Sequence, residues 1–145
     1  FDEEFVHFPH RDFSALGVVT LCLDGLMQNA RPYNNAGVET CWNFSSDRCR
    51  ASQGGSLDTF ISHASNPVFA AMINAQKWKV LSRGPIIPGT MTRGAMQTVL
   101  VDVTPSNGKS REFLWTMQKE RRPPRQDCWL IHECIAKDNA YNLTL

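Results

Sequence analysis

Hydrophobic and polar positions alternate in four runs crowded into the second half of the chain: Trp78 to Ile87, Met91 to Val103, Arg111 to Lys119 and Trp129 to Lys137. A period of two is the signature of strands with one buried face. In the second run Gln97, Val99, Val101 and Val103 share one side, and Met96, Thr98, Leu100 and Asp102 the other. Phe113, Trp115 and Met117 alternate with Leu114, Thr116 and Gln118 in the third. In the fourth, Trp129, Ile131, Glu133 and Ile135 alternate with Leu130, His132, Cys134 and Ala136. Gly84, Pro85, Pro88 and Gly89 supply one turn, and Pro105-Ser106-Asn107-Gly108 closes a hairpin through an Asn-Gly pair that tolerates positive φ.

The first half follows a helical period. After the N-cap candidate Ser14, Leu16, Val19, Leu23, Leu26, Met27 and Ala30 line one face of a helix that Arg31-Pro32 ends. Asn34 or Asn35 caps a second helix, weakened by Gly37, that turns Val38, Cys41 and Trp42 inward. Gly54-Gly55 breaks the chain, and Ser56 opens a third segment with Leu57, Phe60, Ile61 and Ala64 on one face. Asn66-Pro67 separates it from a short apolar turn, Val68 to Ile73. Helices followed by a meander of strands predict an α+β fold, with a helical layer packed on a curved antiparallel sheet.

The domain organisation predicted is an extended arm over 1–13, one domain over 14–138 and a tail over 139–145. A chain of 145 residues suffices for a single core. Its net charge of +1 gives no broad basic footprint for nucleic acid. The longest apolar stretch, Leu16 to Leu23, is far short of the roughly 18–20 residues a membrane crossing needs. A soluble or membrane-peripheral chain is therefore expected.

The five cysteines, Cys22, Cys41, Cys49, Cys128 and Cys134, form no C-x-x-C pair and no Cys/His zinc spacing. Reduced thiols, no metal and no cofactor are expected. Two sequons, Asn43-Phe44-Ser45 and Asn142-Leu143-Thr144, matter only in a secreted chain, against which the cysteine usage argues. The acidic opening Phe1-Asp2-Glu3-Glu4 is unlike a basic targeting segment. Any such segment is absent or removed.

Two polar features point to contacts. Lys119-Glu120-Arg121-Arg122-Pro123-Pro124-Arg125 joins the third and fourth strands, and its prolines lower the ordering cost of a docking surface for acidic groups. Arg121, Arg122 and Arg125 are expected to point outward as partner-binding residues. Phe1, Phe5, Phe8 and Phe13 lie in no periodic element, so they cover the domain's own surface or anchor on a partner. Gly89-Thr-Met-Thr-Arg-Gly94 imitates a phosphate-loop spacing, but Ala95-Met96 replace the required Lys and Ser/Thr, and a strand follows. A bend or bulge accounts for these glycines.

Three segments carry a family resemblance: CWNFSSDRCRASQGGSLDTFISHASNP (Cys41 to Pro67), GPIIPGTMTRGAMQTVLVDV (Gly84 to Val103) and FLWTMQKERRPPRQDCWLIHE (Phe113 to Glu133). They resemble plant and green-algal members of the nuclear-transport-factor-2-like superfamily, and the resemblance spans most of residues 14 to 137. It implies a cone-shaped, cystatin-like fold with helices closing over a bent sheet. It also implies a chloroplast location, in the stroma or at the thylakoid, after removal of a transit peptide.

The superfamily holds adaptors as well as dehydratases and isomerases, so membership alone names no activity. The function expected is a noncatalytic protein-interaction module that assembles or stabilises a larger plastid complex, with photosynthetic machinery as its setting. An alternative is a carrier or an isomerase/dehydratase-type enzyme holding a small apolar ligand in the cone. For that alternative, Glu133 is the first acid candidate, because strict alternation puts it beside Trp129 and Ile131 on the core face. Asp102 and His63 form a second candidate pair. His132, of opposite parity, is expected to face away, and Thr98, Asp102, Thr116 and Gln118 make the outer sheet face polar, which disfavours a strong dimer.

Overall fold

The computed structural model describes residues 7–63 and 67–137. Among these described residues five helices precede the sheet: α1 (Ala15–Met27), α2 (Ala36–Asn43), α3 (Asp47–Ser52), α4 (Leu57–Ser62) and α5 (Pro67–Met72). Four strands follow, β1 (Lys77–Arg83), β2 (Met96–Thr104), β3 (Arg111–Lys119) and β4 (Trp129–Ala136). They form an open antiparallel sheet in the order β1-β2-β3-β4. The chain is α+β, with its helical part preceding the sheet as the hydrophobic pattern predicts.

Ser14 caps α1, its hydroxyl accepting the Gly17 N–H at 3.0 Å, which satisfies one of the donors that a helix start leaves open. The buried stripe is Ala15, Val18, Val19, Cys22, Leu23 and Leu26. The helix stops at Met27, short of Ala30, which is exposed. Asn35 precedes α2 in the left-handed region at φ 65° and makes no side-chain cap. Instead Asn29 ties the two helices together: its Oδ1 accepts the Val38 N–H at 3.0 Å and its Nδ2 donates to Asn35 Oδ1 at 3.1 Å. Helix α3 has no counterpart in the sequence expectation. Its six residues bury none of their side chains, so no apolar stripe marks it.

Inward-facing Val99, Val101 and Val103 of β2 and Phe113, Trp115 and Met117 of β3 are buried under the helices with Phe44, Phe60 and Met72. Each large apolar side chain so covered contributes about 1.5–3 kcal/mol. The Asn107-Gly108 hairpin forms as expected, with Gly108 at φ 85° donating to the Pro105 carbonyl at 2.9 Å. The open edge at β1 carries Lys77, Lys79 and Arg83, charges that discourage strand addition.

At the other edge, the segment just after α2 lies along β4. Ile131 N–H donates to the Phe44 carbonyl at 2.6 Å, and Ser46 N–H donates to the Ile131 carbonyl at 2.9 Å. Immediately after this contact β4 carries an extra residue: Met117 pairs with Ile131 but Thr116 pairs with Glu133, leaving His132 as a bulge. A bulge shifts side-chain parity by one. Cys134 and Ala136 therefore take the inner face, opposite Trp115 and Phe113, while Glu133 pairs with the outward Thr116 and is exposed. The placement of Glu133 on the core face, expected from strict alternation, is corrected by this single residue.

Candidate functional site: a cationic groove on the outer sheet face

The outer face near the end of β3 carries a groove of about 430 Å³. Its floor is sheet: Met96 of β2, Gln118 of β3, and Leu130 and His132 of β4. One wall comes from the start of α3, with Ser46, Asp47 and Arg48, and the other from Thr92 and Arg93 before β2. Lys119, Glu120 and Arg122 close the end.

Local hydrogen bonds fix each wall. Gly94 packs against the Lys119 carbonyl so closely that a Cβ would overlap it, and Lys119 N–H donates to the Ala95 carbonyl at 2.8 Å. The Gly89 to Gly94 stretch thus meets β3 as a bend, in keeping with its lack of phosphate-loop chemistry. Arg121 Nη1 donates to the Met91 carbonyl at 2.6 Å, joining this bend to the β3–β4 loop. Met91 itself is 91% exposed on the rim.

Of the three arginines expected to project outward, Arg125 does not. Its Nη1 donates to the Asn43 and Ser45 carbonyls at 3.1 and 2.6 Å, and its Nη2 to Asp47 Oδ1 at 2.9 Å. It is a clamp that holds the α2–α3 connection, because three acceptors lie within reach of one planar fork. Arg121 is exposed but bound to Met91, and Arg122 is exposed and lines the groove.

The two acids of the groove are engaged internally. Glu120 Oε1 accepts the Arg121 N–H at 2.8 Å, and Asp47 takes Arg125. Among the described residues, the Arg48 and Arg122 side chains have no hydrogen-bond or ion-pair partner. Arg93 donates one Nη1 bond to the Gly94 carbonyl, and the Lys119 ammonium lies 5.7 Å from the Trp129 ring centroid. His132 has its pKa lowered by burial first and by the Arg48 charge second, with Glu133 opposing. The groove is a positively charged recess with donors to spare.

The catalytic candidates are not assembled. Asp102 lies on the outer face of β2, opposite Lys79 and Glu112. His63 ends α4 in the helical layer, its Nδ1 3.3 Å from Gln53 Oε1. The sheet separates the two, and Glu133 faces solvent. Among the described residues, no three His, Cys, Asp or Glu side chains are grouped to hold a metal ion. Burial raises the Cys22 and Cys134 thiols well above their ordinary pKa, which opposes thiolate chemistry.

Phe1 and Phe5 of the arm lie outside the described residues. From His7 onward the arm rests on the domain: the His7 carbonyl accepts Asn43 Nδ2 at 3.1 Å, and Phe13 meets Phe44 with ring centroids 6.1 Å apart. Phe8 is 65% exposed. Arg48, Arg93, Gln118 and His132 are the groove residues that sequence reasoning missed. They come from separate parts of the chain, and no local motif joins them.

No helix among the described residues is long and apolar enough to cross a membrane. Comparison with protein-family models, with curated proteins and with solved structures gives no match.

Proposed function

We propose that this chain is a noncatalytic interaction module that docks an acidic segment of a partner protein in the groove of Arg48, Arg122 and His132. The observation that carries the proposal is the charge state of that groove. Its two acids, Asp47 and Glu120, each accept a hydrogen bond from within the chain and are outnumbered by Arg48, Arg93, Lys119 and Arg122, and two of those guanidiniums remain uncommitted. Complementary charge at such a surface steers encounter and selects partners. The exposed Met91 beside Arg121 adds an apolar contact at the rim, the kind of side chain that adapts to a partner surface.

The finer identity proposed rests on the resemblance of Cys41 to Pro67, Gly84 to Val103 and Phe113 to Glu133. It is a cone-shaped, nuclear-transport-factor-2-like module of the chloroplast, assembling or stabilising a larger photosynthetic complex. Helices preceding a four-stranded meander support this architecture. The isomerase/dehydratase alternative loses support because Glu133, Asp102 and His63 do not converge.

The test is affinity capture from plastid extract with the wild-type chain and with an Arg48→Glu/Arg122→Glu variant. Stoichiometric recovery of a complex with the wild type, lost with the variant at unchanged melting temperature, is expected. Recovery of the chain alone, or equal recovery with both, defeats the proposal.

A further inference from the structure

The groove discriminates between the kinds of anion a protein can present. A carboxylate offers two oxygens in one plane, which a single guanidinium fork covers. A phosphate monoester offers three oxygens arranged tetrahedrally and a charge of about −1.5 to −2, so it is best held by donors converging from several directions. In this groove the uncommitted donors come from four elements: Arg48 from α3, Gln118 from β3, Arg122 from the β3–β4 loop and His132 from β4. Among the described residues none of these four side chains has a hydrogen-bond partner. The acceptors Asp47 Oδ1 and Glu120 Oε1 are bound to Arg125 and to the Arg121 N–H, and neither acid is paired with one of these four donors.

We infer that the group recognised in this groove is the phosphate of a phosphorylated serine or threonine side chain on the partner protein. This rests on the docking function proposed above and specifies its ligand. Met96, half-buried in the floor, gives an apolar surface against which the methylene or methyl of that side chain packs. The recess is open to solvent and its volume of about 430 Å³ accommodates the phosphorylated side chain with a neighbouring residue.

His132 supplies a signature of its own. Burial and Arg48 favour its neutral form, with Glu133 the opposing charge on β4, and Arg122, Lys119 and Glu120 lying along the same groove. A phosphate dianion placed beside it reverses that preference and draws a proton onto the ring. While the phosphate stays a dianion, above its own second pKa of about 6, binding therefore takes up a proton at His132 and strengthens as pH falls through the range in which bound His132 becomes charged.

The experiment uses the full chain and two short synthetic peptides of one sequence, with a central phosphoserine or a central glutamate, and inorganic phosphate as competitor. Fluorescence anisotropy is expected to show the phosphopeptide binding about tenfold or more tightly than its glutamate twin. Inorganic phosphate displaces it at higher concentration. Arg48→Gln with Arg122→Gln abolishes the difference at unchanged melting temperature. The His132 imidazole resonance, assigned by its loss in His132→Gln, titrates at higher pH in the phosphopeptide complex than in the free protein. Equal binding of the two peptides, sensitive to the arginine substitutions, overturns phosphate recognition while leaving acidic docking intact. Phosphopeptide binding that ignores those substitutions, or no binding of either peptide, overturns the groove as the site.

Discussion

Arg125 Nη1 donates to the Ser45 carbonyl at 2.6 Å, so a guanidinium from the β3–β4 loop holds the strand-like segment that lies along β4. Through that contact the start of α3, and Arg48 with it, is held beside His132. The Arg125 side chain is 14% exposed, whereas its ionic partner Asp47 is 85% exposed. The carbonyl bonds rather than the ion pair should therefore dominate, since an exposed pair is screened by water. Arg125→Ala is expected to cost about 2 kcal/mol in urea unfolding, the scale of hydrogen bonds made by a charged donor. Asp47→Asn should cost about 0.5 kcal/mol or less. Equal losses in the two variants would contradict this division.

Gly37 sits in α2 directly against the Gly25 carbonyl of α1, with Asn29 Oδ1 also close to where a Cβ would lie. Helix propensity alone favours alanine over glycine by about 1 kcal/mol. A methyl here overlaps backbone, however, and backbone cannot rotate aside. Gly37→Ala should accordingly lower stability by about 1–3 kcal/mol, the range for overpacking, with a matching fall in Tm. A raised Tm would show that α1 and α2 separate more readily than their contact implies.

Trp115 is 1% exposed, and its indole Nε1 lacks an acceptor among the described residues. A buried donor without a partner is costly, so removing it while keeping a ring offsets part of the lost packing. Trp115→Phe is expected to change stability by about 1 kcal/mol or less, and Trp115→Ala to cost about 3–5 kcal/mol by opening a cavity. Denaturant midpoints of the two variants decide the point, and a large cost for the phenylalanine variant would reveal an acceptor for the indole.

His132 also links stability to pH. Its pKa is lowered on folding, chiefly by burial and then by Arg48, so the unfolded chain binds the proton more readily. The resulting stabilisation is fully present above the unfolded value of about 6.5 and is lost as pH falls through the lower folded value. Melting between neutral pH and about pH 5 should show a decline that is shallower in His132→Gln. An unchanged slope in that variant would place the pH sensitivity elsewhere.

Local pattern carried much of the fold. The third strand, Arg111–Lys119, has the limits its alternation predicts, because both faces keep strict parity against β2. Ser14 and the stripe through Val19, Leu23 and Leu26 likewise announce α1, since a cap and a 3.6-residue period are local properties. Helix α3 was illegible because it is short and buries no side chain. The β4 bulge was illegible for another reason. It adjoins the segment 44–46, more than eighty residues away along the chain, which takes both backbone groups of Ile131.

Sequence by itself determined the order of helices and strands, the inner faces of β2 and β3, and the turn at Asn107-Gly108, for these depend on neighbours within a few positions. Tertiary structure alone decided that Glu133 turns outward, that Arg125 is a clamp, and that Arg48, Arg122 and His132 share a groove. Each of those outcomes depends on one extra residue in a strand or on backbone acceptors supplied from a distant segment. Periodicity cannot register either, because it records what a side chain prefers and not which remote carbonyl or strand edge it will meet.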